Sequence, residues 1–518
     1  MKYTRVSCAI VLTLSLGALS ALNAGSASWN LNPTSDDWST AANWTPNTVP
    51  NGPDDIATFG VSNQTAVTVS TFGTEVNEVI FNPGASAFTI TDDSSLTVSG
   101  TGITNNSGIT QNFLVSTISS YFAFSNGATA GDMTVFTIAP AYLGAFMDFE
   151  NTSSAGHGTF VLEGGNAVFG SGGQIAFTDN SSAGNGFFMV NGGTAAGRGG
   201  GHIGFLGGSA GHGVFVIEGG AVDDALAGSV TFNGGTAGNA TLIANPGANS
   251  GYLHAGLIQY AFTGVADQSE ARIELFGDGT LDMIYPVSGG RTVGSIEGDG
   301  VVMLGANLLI VGANNLSTIF SGTIDTGSLE KIGTGILKLS GANTYSGGTT
   351  VSEGGLAINN TTGSGTGTGA VQVSGGVLGG DGTIAGAVTI GTGSGTGAFL
   401  APAMGASKAT TLTIQSTLTF KADGTYTCTA NTRKRMADQA SVNGVAIESG
   451  AQFKFGTIVN KRLMPGTVFT VIDNTAATQI AGTFSNLPDD STFTIDRNSF
   501  QVSYSGGDGN DLTLTVVP

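Results

Sequence analysis

Between residues 150 and 280 the chain repeats at a nearly fixed interval, which restricts it to folds that stack one unit on the next. The alanines of successive Ala-Gly-like turns, Ala155, Ala183, Ala210, Ala237 and Ala266, are separated by 28, 27, 27 and 29 residues. Five positions after each stand Phe160, Phe188, Phe215, Leu242 and Ala271; seven after stand Leu162, Val190, Ile217, Ala244 and Ile273. Both columns are mostly large and apolar. A period in this range means one supersecondary unit per repeat, piled so that like side chains form a continuous core. The rhythm continues at Gly312-Ala313-Asn314 and Gly341-Ala342-Asn343, 29 residues apart. With coils of about 28 residues, each rising one strand spacing of about 4.8 Å, some 17 coils make a rod of roughly 80 Å.

From Leu329 to Gly391 the local pattern says how each coil is made. Short alternating strands (Leu337/Leu339, Val351, Leu356/Ile358, Val371/Val373, Val388/Ile390) are separated by Ser-Gly-Gly, Glu-Gly-Gly and Gly-Gly-Asp-Gly turns. Period-2 alternation buries one face of each strand, and paired glycines supply the positive φ that sharp corners need. No helix-length apolar periodicity occurs there. The expected fold is an all-β solenoid with about 27–29 residues per coil, the period of one stacked unit.

Three motifs in this stretch resemble the autotransporter-associated β-strand repeat of bacterial passenger proteins. They are Lys331-Ile332-Gly333-Thr334-Gly335, the run from Leu337 through Ser340-Gly341-Ala342-Asn343-Thr344-Tyr345-Ser346-Gly347-Gly348 to Val351, and the Gly-Gly-x-Leu-Gly-Gly-x-Gly-Thr-Ile run from Gly375 to Ile384. The resemblance covers roughly 65 residues and implies a secreted, right-handed parallel β-helix, often displayed on the cell surface. It implies no defined chemistry, since fold alone does not give function. Ala401-Pro402-Ala403 stands where the family often has a Pro-Gly pair. Members that translocate themselves carry a C-terminal membrane barrel, and too little chain follows here for one, so a passenger-type protein without its own pore is expected.

Composition supports an ordered chain. Glycine is extreme at 84 of 518 residues, but hydrophobic residues make up 40% and mean hydropathy is +0.20, enough to pack a core. The net charge of −20 disfavours nucleic acid and anionic lipid, whose binding rests on Lys and Arg contacts to phosphate. Surface glycans or other cell-surface components are the expected partners of a monomeric rod. Of two cysteines, Cys8 lies in a targeting segment too early to resemble a lipoprotein attachment site, which leaves Cys428 without a disulfide partner.

Five regions are expected. Residues 1–27 read as a secretory signal peptide: Lys2 and Arg5, an apolar run from Ala9 to Leu22, then small residues at Ala24–Ala27. Residues 28–60 hold Trp29, Trp38 and Trp44 and are expected to cap the solenoid end, with a sugar-binding aromatic platform as the alternative. The β-helix proper follows at 61–300, the passenger-type repeats at 301–400, and a C-terminal strand region and cap at 401–518.

No residue is assigned a catalytic, cofactor-binding or metal-binding role. His157 and His212 share a phase two coils apart, too far to hold one zinc ion, in a turn position whose Asn and His are accounted for by tolerance of left-handed backbone; His202 and His254 fall elsewhere. Eight after the register alanine runs Glu163, Asn191, Glu218, Asn245, Glu274, read as a ladder in which amides separate carboxylates; a calcium-binding row is the alternative. Asn314 and Asn343 are expected to stack as amides. Gly506-Gly507-Asp508-Gly509-Asn510-Asp511 begins like a calcium nonapeptide but reads better as a turn, and Arg433-Lys434-Arg435 reads as a solvated basic loop, with a docking site for an anionic glycan or for the outer-membrane surface as the alternative. Asp223-Asp224 is the nearest paired carboxylate, and Arg272 stands alone near the acidic column. The function expected is a secreted or surface-exposed structural or adhesive β-helix. The alternative is a carbohydrate-active β-helix, a polysaccharide lyase or hydrolase with a cleft on one parallel sheet.

Overall fold

The computed structural model describes residues 25–518 apart from 117–119, 143, 261–268, 396, 405–408 and 460. Nearly all of the predicted signal peptide lies outside the described residues, as does Ala266 of the repeat.

Alternating side chains and glycine corners wind the chain into a β-solenoid of about 16 turns. Among the described residues four sheets make its walls. The first runs the length of the solenoid as parallel strands from Ala66–Val69 to Gln452–Val459. The second extends from Ala27–Trp29 to Thr323–Asp325, and the third, from Arg291–Val293 to Val445–Ile447, starts as a further face while the second still continues. A fourth begins at Thr383–Ile384 and ends in antiparallel strands Thr492–Ile495, Asn498–Gly506 and Asp511–Val517.

The predicted aromatic column exists. Phe160, Phe188 and Phe215 pair in register on the first sheet, their rings 4.8 and 4.5 Å apart and tilted by 10° and 5°. Phe136 extends the file at 5.0 Å. A second file faces it from the second sheet: Phe124, Phe149, Phe177, Phe205, Phe232 and Tyr260, each 4.7–5.0 Å from the next. The files meet edge to face, as in Phe177 against Phe188 at 5.9 Å and 77°. Ring pairs in these geometries contribute about 0.5–1.5 kcal/mol beyond the area they bury.

The corner that carries the register alanine is a longer motif than the alanine alone. Thr129, Ser154, Ser182, Ser209 and Thr236 pair singly along the axis. Each hydroxyl accepts a hydrogen bond at 3.0–3.2 Å from the backbone N–H of the glycine two residues on. That glycine takes the left-handed conformation (φ of 59°, 58°, 59° and 54° at Gly156, Gly184, Gly211 and Gly238), and the alanine between is fully buried. His157, Asn185, His212 and Asn239 follow the left-handed glycine and are themselves not left-handed, which corrects the expectation.

Coil length is uniform only in part. Thr159 pairs with Phe187, Phe187 with Val214 and Val214 with Thr241, the same steps that separate the register alanines. The next coil is longer. Thr241 pairs with Arg272, so Ile273 rather than Ala271 continues the phenylalanine column and Leu275 follows Ala244. From Arg291 to about Val388 the coil contracts to about two thirds of its former length, as where Leu309 pairs with Leu329 and Phe320 with Leu339; it lengthens again in the last coils, where Thr411 pairs with Gln439. The interval between the Gly-Ala-Asn turns is therefore not one coil there.

At the N-terminal end Trp29, Trp38 and Trp44 are buried around Phe59, with ring centroids 4.9–6.1 Å apart. Their indole N–H groups donate to the carbonyls of Gln64, Pro50 and Trp38. Rings enclosed this way present no open face on which a sugar could stack.

Candidate functional site

Between the first and second sheets each registered coil makes an arm, pinched at its base by one backbone hydrogen bond. These run from Gly173 to Glu163, Gly201 to Asn191, Gly228 to Glu218 and Gly256 to Asn245, at 2.7–2.9 Å. The arms also bond to one another along the axis, through Gly165 to Gly199, Gly193 to Leu226 and Gly220 to His254. Backbones this close leave no room for side chains: a Cβ on Gly192 would stand 2.0 Å from the Gly219 carbonyl oxygen. Gly192→Ala is expected to cost about 2 kcal/mol, an overpacking penalty. Faster hydrogen exchange at the Gly193 and Thr194 amides is the readout, and unchanged exchange would mean the arms stack less closely than described.

Glu163, Asn191 and Glu218 line a groove of about 480 Å³ between these arms, with Thr194, Ala221 and Pro246. Asn245 donates from Nδ2 to Glu218 Oε1 at 3.0 Å, the amide-to-carboxylate step expected of the ladder. Glu274 does not belong to this row. The longer coil puts it opposite Ile243, where Arg272 bridges it, at 3.2 Å, to Glu297 on the next coil; Phe276 takes its place.

The corner row is wholly exposed: Asp132, His157, Asn185, His212, Asn239 and Glu270, one residue per coil. His157 Nδ1 lies 2.8 Å from Asp132 Oδ1, and Asn239 donates to Glu270 at 2.9 Å. His202 sits apart, on the outer face of the second sheet, bonded to Ser229 Oγ at 2.9 Å; burial holds its pKa below the usual value. His254 meets the Ala225 carbonyl, and Asp223-Asp224 occupy an arm tip. Among the described residues no three His, Cys, Asp or Glu side chains converge as a metal site would require.

One cluster escaped sequence reasoning. Tyr121, on the outer face of the second sheet, places its hydroxyl 2.8 Å from Asp148 Oδ2 and 3.0 Å from Glu150 Oε1, with its ring parallel to Phe146. Burial, with the charge of Glu150, pushes Asp148 up to about 6, and its Oδ1 is buried without a hydrogen bond. Asp148 and Glu150 lie one coil before the registered repeat and Tyr121 two. Phe149 in step with Phe177 would have placed Asp148 on the outward face.

The remaining candidates resolve as turns. Gly506–Asp511 closes an antiparallel hairpin, and Asp511 accepts from the Asn474 N–H at 2.9 Å. Arg433-Lys434-Arg435 forms the tip of a hairpin between Asn431 and Met436. Cys428 is buried, its thiol pushed well up by that burial. Asn314 and Asn343 do not stack: Asn314 donates to Ser295, whereas the buried Asn343 bridges the Ile324 N–H and the Gly365 carbonyl. The two amides meet different partners, a side-chain hydroxyl and a pair of backbone groups, because the shorter coils there do not bring the two turns into phase.

The stretch that carries the resemblance has its own internal chemistry. Lys331 points inward between Val311 and Val351, and its ammonium donates to the carbonyls of Ile332 at 2.5 Å and Gly333 at 2.9 Å. Burial lowers its pKa to about 8. Tyr345, fully buried further along, shares a hydrogen bond of 2.7 Å with Thr349. Residues 329–358 match the passenger-associated-transport-repeat family. Within this passenger-associated transport repeat, then, the Lys-Ile-Gly-Thr-Gly corner is folded around a buried ammonium. No curated protein sequence matches the chain. Among solved structures, the crystal structure of the Haemophilus influenzae Hap adhesin aligns with 89% of this chain at 11% identity, with a TM-score of 0.21. The chain spans 63% of that structure's length, and so loose a superposition carries no argument. No described helix is long and apolar enough to cross a membrane.

Proposed function

We propose that the protein is an exported rod of passenger type that acts at the cell surface by presenting repeated, shallow contacts. The observation that carries this reading is the outward repetition itself. Six polar side chains, from Asp132 to Glu270, stand one per coil along an exposed corner, parallel to a groove floored by Glu163, Asn191 and Glu218. Ladders of weak sites gain from multivalency, since each contact after the first is effectively intramolecular. Sugar hydroxyls both donate and accept, as carboxylates, amides and imidazoles on such a ladder require, so surface glycans are the ligand class proposed. The passenger-associated transport repeat supports export.

Two measurements test it. Protease applied to intact cells should remove the protein, and a glycan array should show retention that rises with oligosaccharide length. A protein protected inside the cell, or retention independent of length, would refute the reading. The Tyr121–Asp148–Glu150 cluster favours a second one: a carboxyl titrating near 6 beside another carboxyl suits acid–base work on a polysaccharide. Turnover of a polysaccharide that Asp148→Asn abolishes, without loss of binding, would put that reading first.

A further inference from the structure

The net charge of −20 conceals a segregation. From residue 25 to residue 197 the chain carries thirteen Asp and Glu and no Lys or Arg. Six of its sixteen Lys and Arg, by contrast, lie on three turns of the last coils: Arg433, Lys434 and Arg435, then Lys461 and Arg462, then Arg497. All six are exposed.

Hydrogen bonds hold these turns on one edge. Thr432 Oγ1 accepts from the Lys461 N–H at 2.9 Å. Asn498 accepts from the Leu463 N–H at 2.7 Å and donates to the Lys461 carbonyl at 3.0 Å. The patch is not purely cationic. Met436, Met464 and Val468 are 53%, 66% and 53% exposed, and the Arg435 guanidinium meets the Met464 sulfur at 4.0 Å. Arg435, Met436 and Val468 also line a cavity of about 320 Å³ with Thr410, Thr411 and Gln439. The acid nearest in sequence, Asp496, is engaged by the Thr457 hydroxyl, and Asp438 is buried under the Thr429 and Thr410 amides.

We propose that this edge docks on an anionic lipid surface, its cations on headgroup phosphates and its exposed methionines and valine at the headgroup–acyl boundary. Cations alone would fit any polyanion; the interleaved apolar side chains single out an amphiphile. The acidic N-terminal half is repelled by the same surface, so the rod stands on its C-terminal coils instead of lying flat. The negative net charge that disfavours anionic lipid for the chain as a whole thus orients it.

The test is sedimentation of the purified chain with vesicles of equal parts phosphatidylglycerol and phosphatidylcholine, against phosphatidylcholine alone. Binding is expected only to the anionic vesicles and should weaken as salt rises. Arg433→Ala/Lys434→Ala/Arg435→Ala should bind roughly a hundredfold more weakly. Met436→Ser/Met464→Ser should also bind more weakly, without altering the salt dependence. Arg198→Ala/Lys338→Ala, which removes charge away from the edge, should bind unchanged. Equal binding to both vesicles, or full binding by the triple variant, would overturn the proposal. Low-salt dimerisation that the triple variant abolishes, without vesicle binding, would replace the lipid surface with the acidic half of a second rod.

Discussion

Phe188→Ala is expected to cost about 3–5 kcal/mol, the range for removing a fully buried aromatic side chain. The upper end applies because its ring is stacked on both sides, by Phe160 at 4.8 Å and Phe215 at 4.5 Å, and met on edge by Phe177. Collapse around the gap is prevented by the ladder: closing it would pull strands Thr159–Leu162 and Val214–Ile217 out of register. Because each coil touches mainly its neighbours, the loss should be local. Hydrogen exchange should accelerate across residues 159–217 and hardly change beyond Leu337. A uniform loss of protection over the whole chain would show that the solenoid unfolds as one unit, contrary to this account.

The second large effect concerns one buried acid and its pH dependence. Asp92 occupies the inward column between Val69 and Val115, fully buried, with Oδ2 lacking a hydrogen bond. Burial pushes its pKa from an ordinary 3.8 up to about 7. Between those values the folded chain holds a proton that the unfolded chain has released. Stability therefore falls as pH rises from about 4 to 7, by up to about 4 kcal/mol, and is level above. Asp92→Asn removes the titration. At pH 4 the variant should lie within about 1 kcal/mol of the parent, and at pH 8 it should be the more stable by several kcal/mol. Hydrogen exchange of strands Ala66–Val69 and Gln111–Val115 at the two pH values is the measurement. Parallel pH profiles for parent and variant would show that Asp92 is ionised where it lies.

Much of this was legible in the residues, and the limits have physical causes. Phe160, Phe188 and Phe215 announce themselves because an inward column in a parallel stack repeats at the coil length. The facing file of Phe149, Phe177, Phe205 and Phe232 repeats at the same interval and was open to the same reasoning. The slip at Ala266 arose because one coil is longer than those before it, and length added in a turn leaves the strands' alternation intact while shifting everything beyond it. Contraction after Arg291 was hidden because a third sheet begins there as an added face, so strands recur more often without any break in their alternation. The arms are legible only as glycine pairs: their order comes from contact with the arms above and below, and single-chain patterning does not record it. Neither could the grouping of Arg433, Lys461 and Arg497 be seen, since a whole coil of sequence separates each of these cations from the next and only consecutive turns bring them to one edge.

The Ser/Thr-Ala-Gly corner carries a consequence for how such a chain can change. Ala155 and Ala183 sit in equivalent corners, each followed by a left-handed glycine whose N–H meets the preceding hydroxyl. Excising residues 156–183 would join Ala155 to Gly184 and recreate the same junction, with Phe136 left to face Phe188. Length is thus adjustable in whole turns by unequal recombination, without a new fold having to be found.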